Sequence, residues 1–475
     1  MVSLADASPP IALGALDGRY RPVVAPLVDH LSEAALNRER VHVEVGWLIH
    51  LTTGQIVPNV RPLTANEQAR LLSVVEDFGP GDIAELAGLE RETVHDVKAV
   101  EYYLKRRLTS LEGNHTSDAP DLAAISELIH FACTSEDINN VAYALMIKGA
   151  VEQVWLPRAT ALVEDVAAMA RDLRDIPVLA RTHGQPATPT TMGKEIAVLA
   201  YRLRRQLARI GRAEYLGKLN GATGTYGAHV AAVPGADWPA VSKAFVESLG
   251  LTWNPLTTQI ESHDWQAELY SDIARFNRIL HNLCTDFWTY ISMGYFAQVR
   301  GQGTVGSSTM PHKVNPIRFE NAEANLEVSN ALLDVLASTL VESRLQRDLT
   351  DSSMQRNIGT AFGHSLLAID NASRGLAGLD AVPAAMAADL DANWEVLGEP
   401  IQSVMRALGA QGVRGMENPY ERLKELTRGR RISGDDLREF VGSLGLPLDV
   451  ERRFLEMTPQ TYVGLAPRLV DYLRS

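Results

Sequence analysis

The chain has 475 residues, with 58 acidic side chains against 45 basic ones and a formal charge of −13. That length corresponds to about three typical domains and excludes a small stapled scaffold, while 46% hydrophobic and 22% charged residues exclude a disordered chain. A net negative surface with no Lys/Arg-rich block excludes non-specific nucleic-acid binding, so any anionic ligand must meet locally placed cations.

The opening MVSLADASPP lacks a basic segment followed by an apolar one, and no apolar run is long enough for a membrane span, which predicts a cytoplasmic protein with no membrane partner. Cys133 and Cys284 are the only cysteines. Two are too few for a disulfide framework or a cysteine-based zinc site, in keeping with a reducing compartment. Aromatics make up only 6%, and alternating β-branched segments are scarce, so helix is the expected state.

In chain order, the polar, turn-rich stretch Leu108 to Pro120 reads as a boundary after an N-terminal helical domain, 1–120. Thr134 to Asp137 (TSED) has the form of a capping box. His183 falls on a turn just before a helix whose seam is Met192, Ile196, Leu199, Leu203, Leu207 and Ile210. From Leu216 to Pro234 the run is too Gly-rich for helix and reads as a loop or short hairpin. Trp265 to Met293 contains no Gly or Pro and repeats Leu269, Ile273, Phe276, Leu280, Leu283, Phe287 and Ile291 at steps of four and three. That predicts about 40 Å of helix. His281 and Cys284, spaced i, i+3 on it, read as packing residues rather than metal ligands. A third seam runs from about Asn321 through Leu326, Leu333, Leu336 and Leu340. Three such seams predict an all-α fold with a central bundle of long helices, 121–376. The final segment, 377–475, carries short-helix start signals at Asn418-Pro419, Asp435 and Thr458-Pro459, with Gly429 a C-cap, and reads as a smaller helical domain.

Between two long seams lies Gly301 to Asn321, GQGTVGSSTMPHKVNPIRFEN. A solvated linker is the plain reading of such a loop. However, a connection of ~20 residues inside a compact bundle is uncommon unless it binds or closes over something. GSSTMPHKVNP resembles the signature loop of the fumarase/aspartase superfamily, and RTHGQPATPTTMGK (Arg181 to Lys194) and FACTSEDINN resemble its other two shared segments. LDGRY (Leu16 to Tyr20), RETVHDVKAVEYYL (Arg91 to Leu104), TTQIESHD (Thr257 to Asp264) and SRLQRDLTDSSMQR (Ser343 to Arg356) are similar, more narrowly, to the bacterial adenylosuccinate lyases.

This resemblance implies a three-domain, cofactor-free and metal-free lyase. It would release fumarate from adenylosuccinate to give AMP, and from the succinylated carboxamide ribonucleotide (SAICAR) to give AICAR. It implies His183 as general acid and Ser307 as base, with Glu320, His95 and Lys313 in support. Arg19, Tyr20, Arg347, Ser352 and Arg356 would contact the nucleotide and phosphate. Thr134, Ser135, Thr182, Ser308, Lys313 and Asn315 would hold the succinyl carboxylates, Val314 would also contact the substrate, and Gln259, Asn321, His95 and Asp96 would surround the nucleotide and His183. Val94 is a departure, standing where some bacterial relatives have a polar residue. Homotetramers with active sites shared between subunits are implied as well. Taken singly, each residue has a plainer role: His183 as a structural histidine, His95–Asp96 as a surface ion pair, Thr134 and Ser135 as helix caps, Arg347 and Arg356 as solvated partners of acidic neighbours. The competing functions are another superfamily elimination (argininosuccinate lyase, fumarase or a carboxymuconate cycloisomerase) and a non-catalytic helical scaffold. The intact Ser307, His183, Lys313 and Glu320 count against the scaffold.

Overall fold

The computed structural model describes residues 13–111, 122–298, 314–427 and 432–474. Most of the described residues are helical, and the few strands among them pair in short two-stranded ribbons. Among the described residues no helix is long and apolar enough to cross a membrane.

The chain forms two compact units. The first comprises Met1–Ala159, Gln206–Arg278 and Ala324–Asp370; the second comprises Thr160–Arg205, Ile279–Glu323 and Asn371–Ser475.

The seams read from the sequence are helices Met192–Ile210, Asp264–Ser292 and Ile317–Leu340. Their repeated apolar positions face inward: Leu269, Ile273, Phe276, Leu280, Leu283 and Phe287 are buried, as are Leu326, Leu333, Leu336 and Leu340. Each such side chain contributes roughly 1.5–3 kcal/mol when fully buried. Cys284 lies in the same apolar interior, where burial pushes its thiol up, and His281 contacts Thr285 on the next turn.

In the first unit a buried polar chain threads the apolar interior. The Trp155 indole donates to Ser365 Oγ at 2.9 Å, Ser365 donates to Asn277 Oδ1 at 2.8 Å, and Asn277 donates to Ser329 Oγ at 3.1 Å. Ser329 then donates to the Ala361 carbonyl at 2.8 Å. Each member has a partner, so the chain fixes helix register without leaving a desolvated group. A separate core of Val41, Val45, Leu48, Leu71, Val100 and Leu104 packs Glu33–Thr53 against Asp96–Leu111 and their neighbours.

In the second unit, strands Pro177–Thr182 and Gln185–Thr191 form an antiparallel hairpin that leads straight into helix Met192–Ile210. A Cβ on Gly193 would lie 2.3 Å from the Ala170 carbonyl oxygen and 2.5 Å from Arg174 Cα, so only glycine permits this approach of backbone to backbone. The short C-terminal helices enclose their own core of Leu397, Ile401, Met405, Leu437, Val441 and Phe454.

Three local expectations need correction. The Gly-rich run contains helix Gly227–Ala232, and Leu216–Gly217 pairs in parallel with Thr252–Trp253 rather than forming a hairpin. The cap of helix Gly434–Ser443 is Ser433, whose side chain accepts from Asp436 N, and not Asp435. Thr458-Pro459 opens a turn held by Thr461 N to the Thr458 carbonyl, whereas Asn418-Pro419 does precede a helix, Pro419–Thr427. Gly429 and most of the Leu108 to Pro120 boundary lie outside the described residues.

Candidate active site

In the first unit, the first turn of Asp96–Leu111 is built by its neighbours. Helix Pro80–Thr93 ends at Val94 in the left-handed conformation (φ 52°, ψ 30°), with the side chain 89% exposed. His95 Nδ1 accepts from Lys98 N at 3.2 Å, so the imidazole caps the new helix, and its 3.7 Å approach to the Asp96 carboxylate is the weaker contact. Asp96 instead receives the Arg40 guanidinium at 2.5 Å and Arg356 at 3.5 Å. Burial works to raise the Asp96 carboxyl, but Arg40, helped by Arg356, holds it below its ordinary value.

Arg356 also pairs with Glu33 at 3.3 Å and donates to the Ser352 carbonyl at 3.1 Å. Arg347 donates to Ser352 Oγ at 2.9 Å and pairs with Glu136 at 2.9 Å. The structure therefore brings Asp96, Arg347, Ser352 and Arg356 together, with partners from distant segments as well as the local acidic neighbours. A cavity of about 300 Å³ beside Arg356 is lined by Leu16, Asp17, Ser32, Gly359 and His364. Tyr20 packs against the Leu16, Val24 and Leu367 cluster, and the Arg19 guanidinium stands 5.8 Å over the Tyr20 ring. A larger open groove lined by Lys98, Tyr102, Lys105 and Arg106 contains none of the candidate residues.

Thr134 and Ser135 begin helix Ser135–Gly149. The Asp137 carboxylate accepts from Thr134 N at 2.8 Å, which supplies the predicted cap, and also from Lys218 Nζ at 2.8 Å and from the amides of Asn220 and Gly221. Asp137 and Lys218 are both fully buried. Such a pair is tolerable only because donors surround the carboxylate. Through it the start of this helix is tied to the Gly-rich loop, whose Ala222 carbonyl accepts from Gln259 Nε2 at 2.9 Å.

Arg40 and Glu44, which the sequence reading missed, hold segments of the candidate site in place. Arg40 is 1% exposed and joins Asp96 to Asn139, and Asn139 in turn holds Glu136 at 2.8 Å. Glu44, fully buried, accepts from His130 N at 2.9 Å and contacts His130 Nδ1 at 2.6 Å, just ahead of Thr134. The available signal was two opposite charges at i, i+4, Arg40 just ahead of the largely apolar run VHVEVGWL and Glu44 within it.

In the second unit, His183 and Gly184 are the two central residues of the hairpin, with φ of 54° and 73°, and Thr182 pairs with Gln185. Positive φ at both positions is the requirement of a type I′ turn. The imidazole is thus presented at an exposed tip. Glu320, in the first turn of Ile317–Leu340, accepts from the Trp288 indole at 3.1 Å, and among the described residues neither a hydrogen bond nor an ion pair joins it to His183. Asn321 follows it on the helix, half-buried. The Val314 carbonyl accepts from Gln298 Nε2 at 2.8 Å, and Asn315 is exposed. Ser307, Ser308 and Lys313 lie outside the described residues.

The sequence matches a lyase family over residues 18–328 and the adenylosuccinate lyase C-terminal family over residues 343–463. It is 48% identical to an adenylosuccinate lyase of Escherichia coli, with 98% of each chain covered. The chain belongs to the adenylosuccinate lyase family. An adenylosuccinate lyase of Haemophilus influenzae is 46% identical, over 97% of this chain and 98% of its own. In fold, this member of the adenylosuccinate lyase family is similar to a fumarate lyase from a Mesorhizobium species (TM-score 0.74, 19% identity, 98% and 99% of the two chains). It is also similar to a 3-carboxy-cis,cis-muconate lactonizing enzyme from Pseudomonas putida (TM-score 0.70, 20% identity, 94% and 95%).

Proposed function

We propose that the chain is an adenylosuccinate lyase, eliminating fumarate from adenylosuccinate to give AMP and, by the same chemistry, from SAICAR to give AICAR. The observation that carries this reading is the near end-to-end identity of 48% with an adenylosuccinate lyase. The cluster of Asp96, Arg347, Ser352 and Arg356, with Arg356 on the cavity wall, supports it, because planar guanidinium forks match a nucleotide phosphate as well as a carboxylate.

The reaction breaks one C–N bond. A base removes a proton from the succinyl carbon next to a carboxylate, the electron pair forms the fumarate double bond, and the departing nitrogen takes a proton from an acid. In this reading His183 donates that proton and Ser307 accepts the carbon's proton. Lys313 and the amides of its loop offset the charge on the serine oxygen. Arg19, Tyr20, Arg347, Ser352 and Arg356 hold the nucleotide; Thr134, Ser135, Thr182, Ser308 and Asn315 hold the carboxylates, and Val314 also contacts the substrate; Gln259, Asn321, His95 and Asp96 complete the surroundings.

The active species in this proposal is a homotetramer whose sites draw on several chains. Residues 121–376 would supply the bundle on which subunits pack, between helical segments 1–120 and 377–475. Apolar side chains left outside the single chain support it: Val328 and Val335 lie seven residues apart on Ile317–Leu340 and are 44% and 42% exposed. Glu320, engaged by Trp288 in its own chain, would reach the His183 of another. A cytoplasmic location belongs to the same proposal.

The test is ultraviolet monitoring of the purified protein with adenylosuccinate, then with argininosuccinate and malate. Fumarate and AMP from the first alone are expected, and no fumarate from adenylosuccinate overturns the reading. Mixing His183→Ala with Ser307→Ala chains should partly restore activity if sites are shared between subunits.

A further inference from the structure

The hairpin that carries His183 is poorly equipped to hold its own shape. Pro186 and Pro189 occupy its second strand and remove two amide donors, and the pairing register slips between Leu179 and Arg181. A lone two-stranded ribbon is at best marginally stable in water. His183 itself sits at φ 54°, a conformation that a non-glycine residue keeps only when its surroundings impose it. The tip must therefore be fixed from outside the ribbon.

The side chain that does this is Arg181, two residues before His183. Its guanidinium donates to Asp389 Oδ2 at 2.6 Å and to Tyr295 Oη at 3.0 Å, and the Tyr295 hydroxyl donates to the same Asp389 oxygen. Tyr295 is 2% exposed, so the cluster has a rigid floor. Burial and the neighbouring carboxylate push the Tyr295 phenol up to about 12, which keeps its proton available for that bond. Asp389 belongs to helix Pro383–Asp391, which packs along the first strand of the ribbon and is itself anchored by buried Met386 and Leu390. Thr188, on the second strand, donates to Glu399 at 2.7 Å on the helix that follows. Both strands of the ribbon are thus tied to the C-terminal short-helix region, which supplies no candidate catalytic or binding residue of its own.

We propose that Asp389 is a positioning residue, which through Arg181 and Tyr295 fixes the turn that presents His183. This deepens the functional reading above and rests on its assignment of His183 as proton donor. Removing the carboxylate leaves the guanidinium without its charged partner and lets the tip relax. Displacements of about 1 Å at a reacting group cost up to ~10²-fold in rate.

The test compares wild type with Asp389→Asn, Asp389→Glu and Tyr295→Phe. For Asp389→Asn, kcat should fall roughly tenfold or more, with KM for adenylosuccinate and the thermal midpoint close to wild type. Asp389→Glu should recover much of the loss, and Tyr295→Phe should show a smaller fall of the same kind. Diethylpyrocarbonate labelling followed by mass spectrometry gives a readout independent of turnover: the rate at His183 should change in Asp389→Asn while other histidines keep theirs. An unchanged kcat with an unchanged His183 labelling rate overturns the proposal, and so does a loss confined to KM or to the thermal midpoint. If wild type releases no fumarate, the functional reading fails, whereas the labelling rate still decides whether Asp389 positions His183.

Discussion

Arg40 and Glu44 lie one helical turn apart on the buried helix Glu33–Thr53 and hold two different segments of the candidate site, Arg40 through Asp96 at 2.5 Å and Glu44 through His130 at 2.6 Å. Breaking a buried ion pair by removing one partner strands the other charge and costs roughly 3–5 kcal/mol. Arg40→Met should therefore destabilise the protein by about 3 kcal/mol or more in urea unfolding, and should raise KM for the nucleotide as Asp96 and Arg356 rearrange. Arg40→Lys should rescue little, because one ammonium cannot replace bonds to Asn139, Asn37 and Asp96 made from a single planar fork. A wild-type melt for Arg40→Met would contradict this assignment.

The Glu44–His130 contact gives stability a defined pH dependence. Burial works to lower the imidazole, but the Glu44 hydrogen bond and charge hold it above its ordinary 6.5. The folded state thus binds the proton more tightly than the unfolded chain does. This contribution is fully present below pH 6.5 and is lost as pH rises through the raised folded value. Urea midpoints across that window should fall more in wild type than in His130→Asn. A parallel decline in both would remove His130 as the cause.

Much of this could be read from residue order, and the exceptions share a cause. The long seams were legible because Leu269 through Phe287 repeat with the helical period and are buried. Chemistry-bearing segments were legible as interruptions of those seams. The His183 ribbon was visible only as a turn: its prolines hide the strand pattern, and its shape depends on Asp389, some two hundred positions away. Gly227–Ala232 escaped notice because composition alone argued against a helix there, while tertiary contacts decide so short an element. Arg40 and Glu44 look like ordinary helix-surface charges until a partner helix covers them.

Val94 is a β-branched residue in the left-handed region, exposed and packed against little. That conformation costs an L-residue roughly 1–2 kcal/mol, and much less for Gly or Asn. Val94→Asn and Val94→Gly should each stabilise the protein by about 1 kcal/mol, visible as a raised thermal midpoint. Val94→Ile should gain nothing. A destabilised Val94→Gly protein would mean that the valine side chain makes a contact that outweighs its strain.

Gly193→Ala tests the opposite situation. Alanine favours helix by ~1 kcal/mol over glycine, but here its Cβ would meet the Ala170 carbonyl and Arg174 Cα, backbone atoms that cannot step aside. Overpacking of this kind costs about 1–3 kcal/mol or more, so a net loss of stability is expected. Because Gly193 opens the helix that follows the His183 ribbon, kcat should fall as well, and a stabilised Gly193→Ala protein would contradict the packing shown.

Glu33 bears on substrate affinity. It pairs with Arg356 at 3.3 Å, both side chains being about half exposed, and Arg356 is one of the residues proposed to meet the nucleotide phosphate. A carboxylate and a phosphate cannot both make full use of one guanidinium, so the substrate must displace or share with Glu33. An exposed pair of this kind is worth ~0–1 kcal/mol. Glu33→Gln should therefore lower KM by up to about fivefold with kcat nearly unchanged, and the gain should shrink as salt screens the wild-type pair. Asp96→Asn removes a carboxylate from the same arginine, yet it should raise KM, because Asp96 also orders Arg40 and the first turn of its helix. If both substitutions moved KM in the same direction, the two acids would have to be assigned the same role, and the distinction between a competitor for Arg356 and a support beneath it would fall.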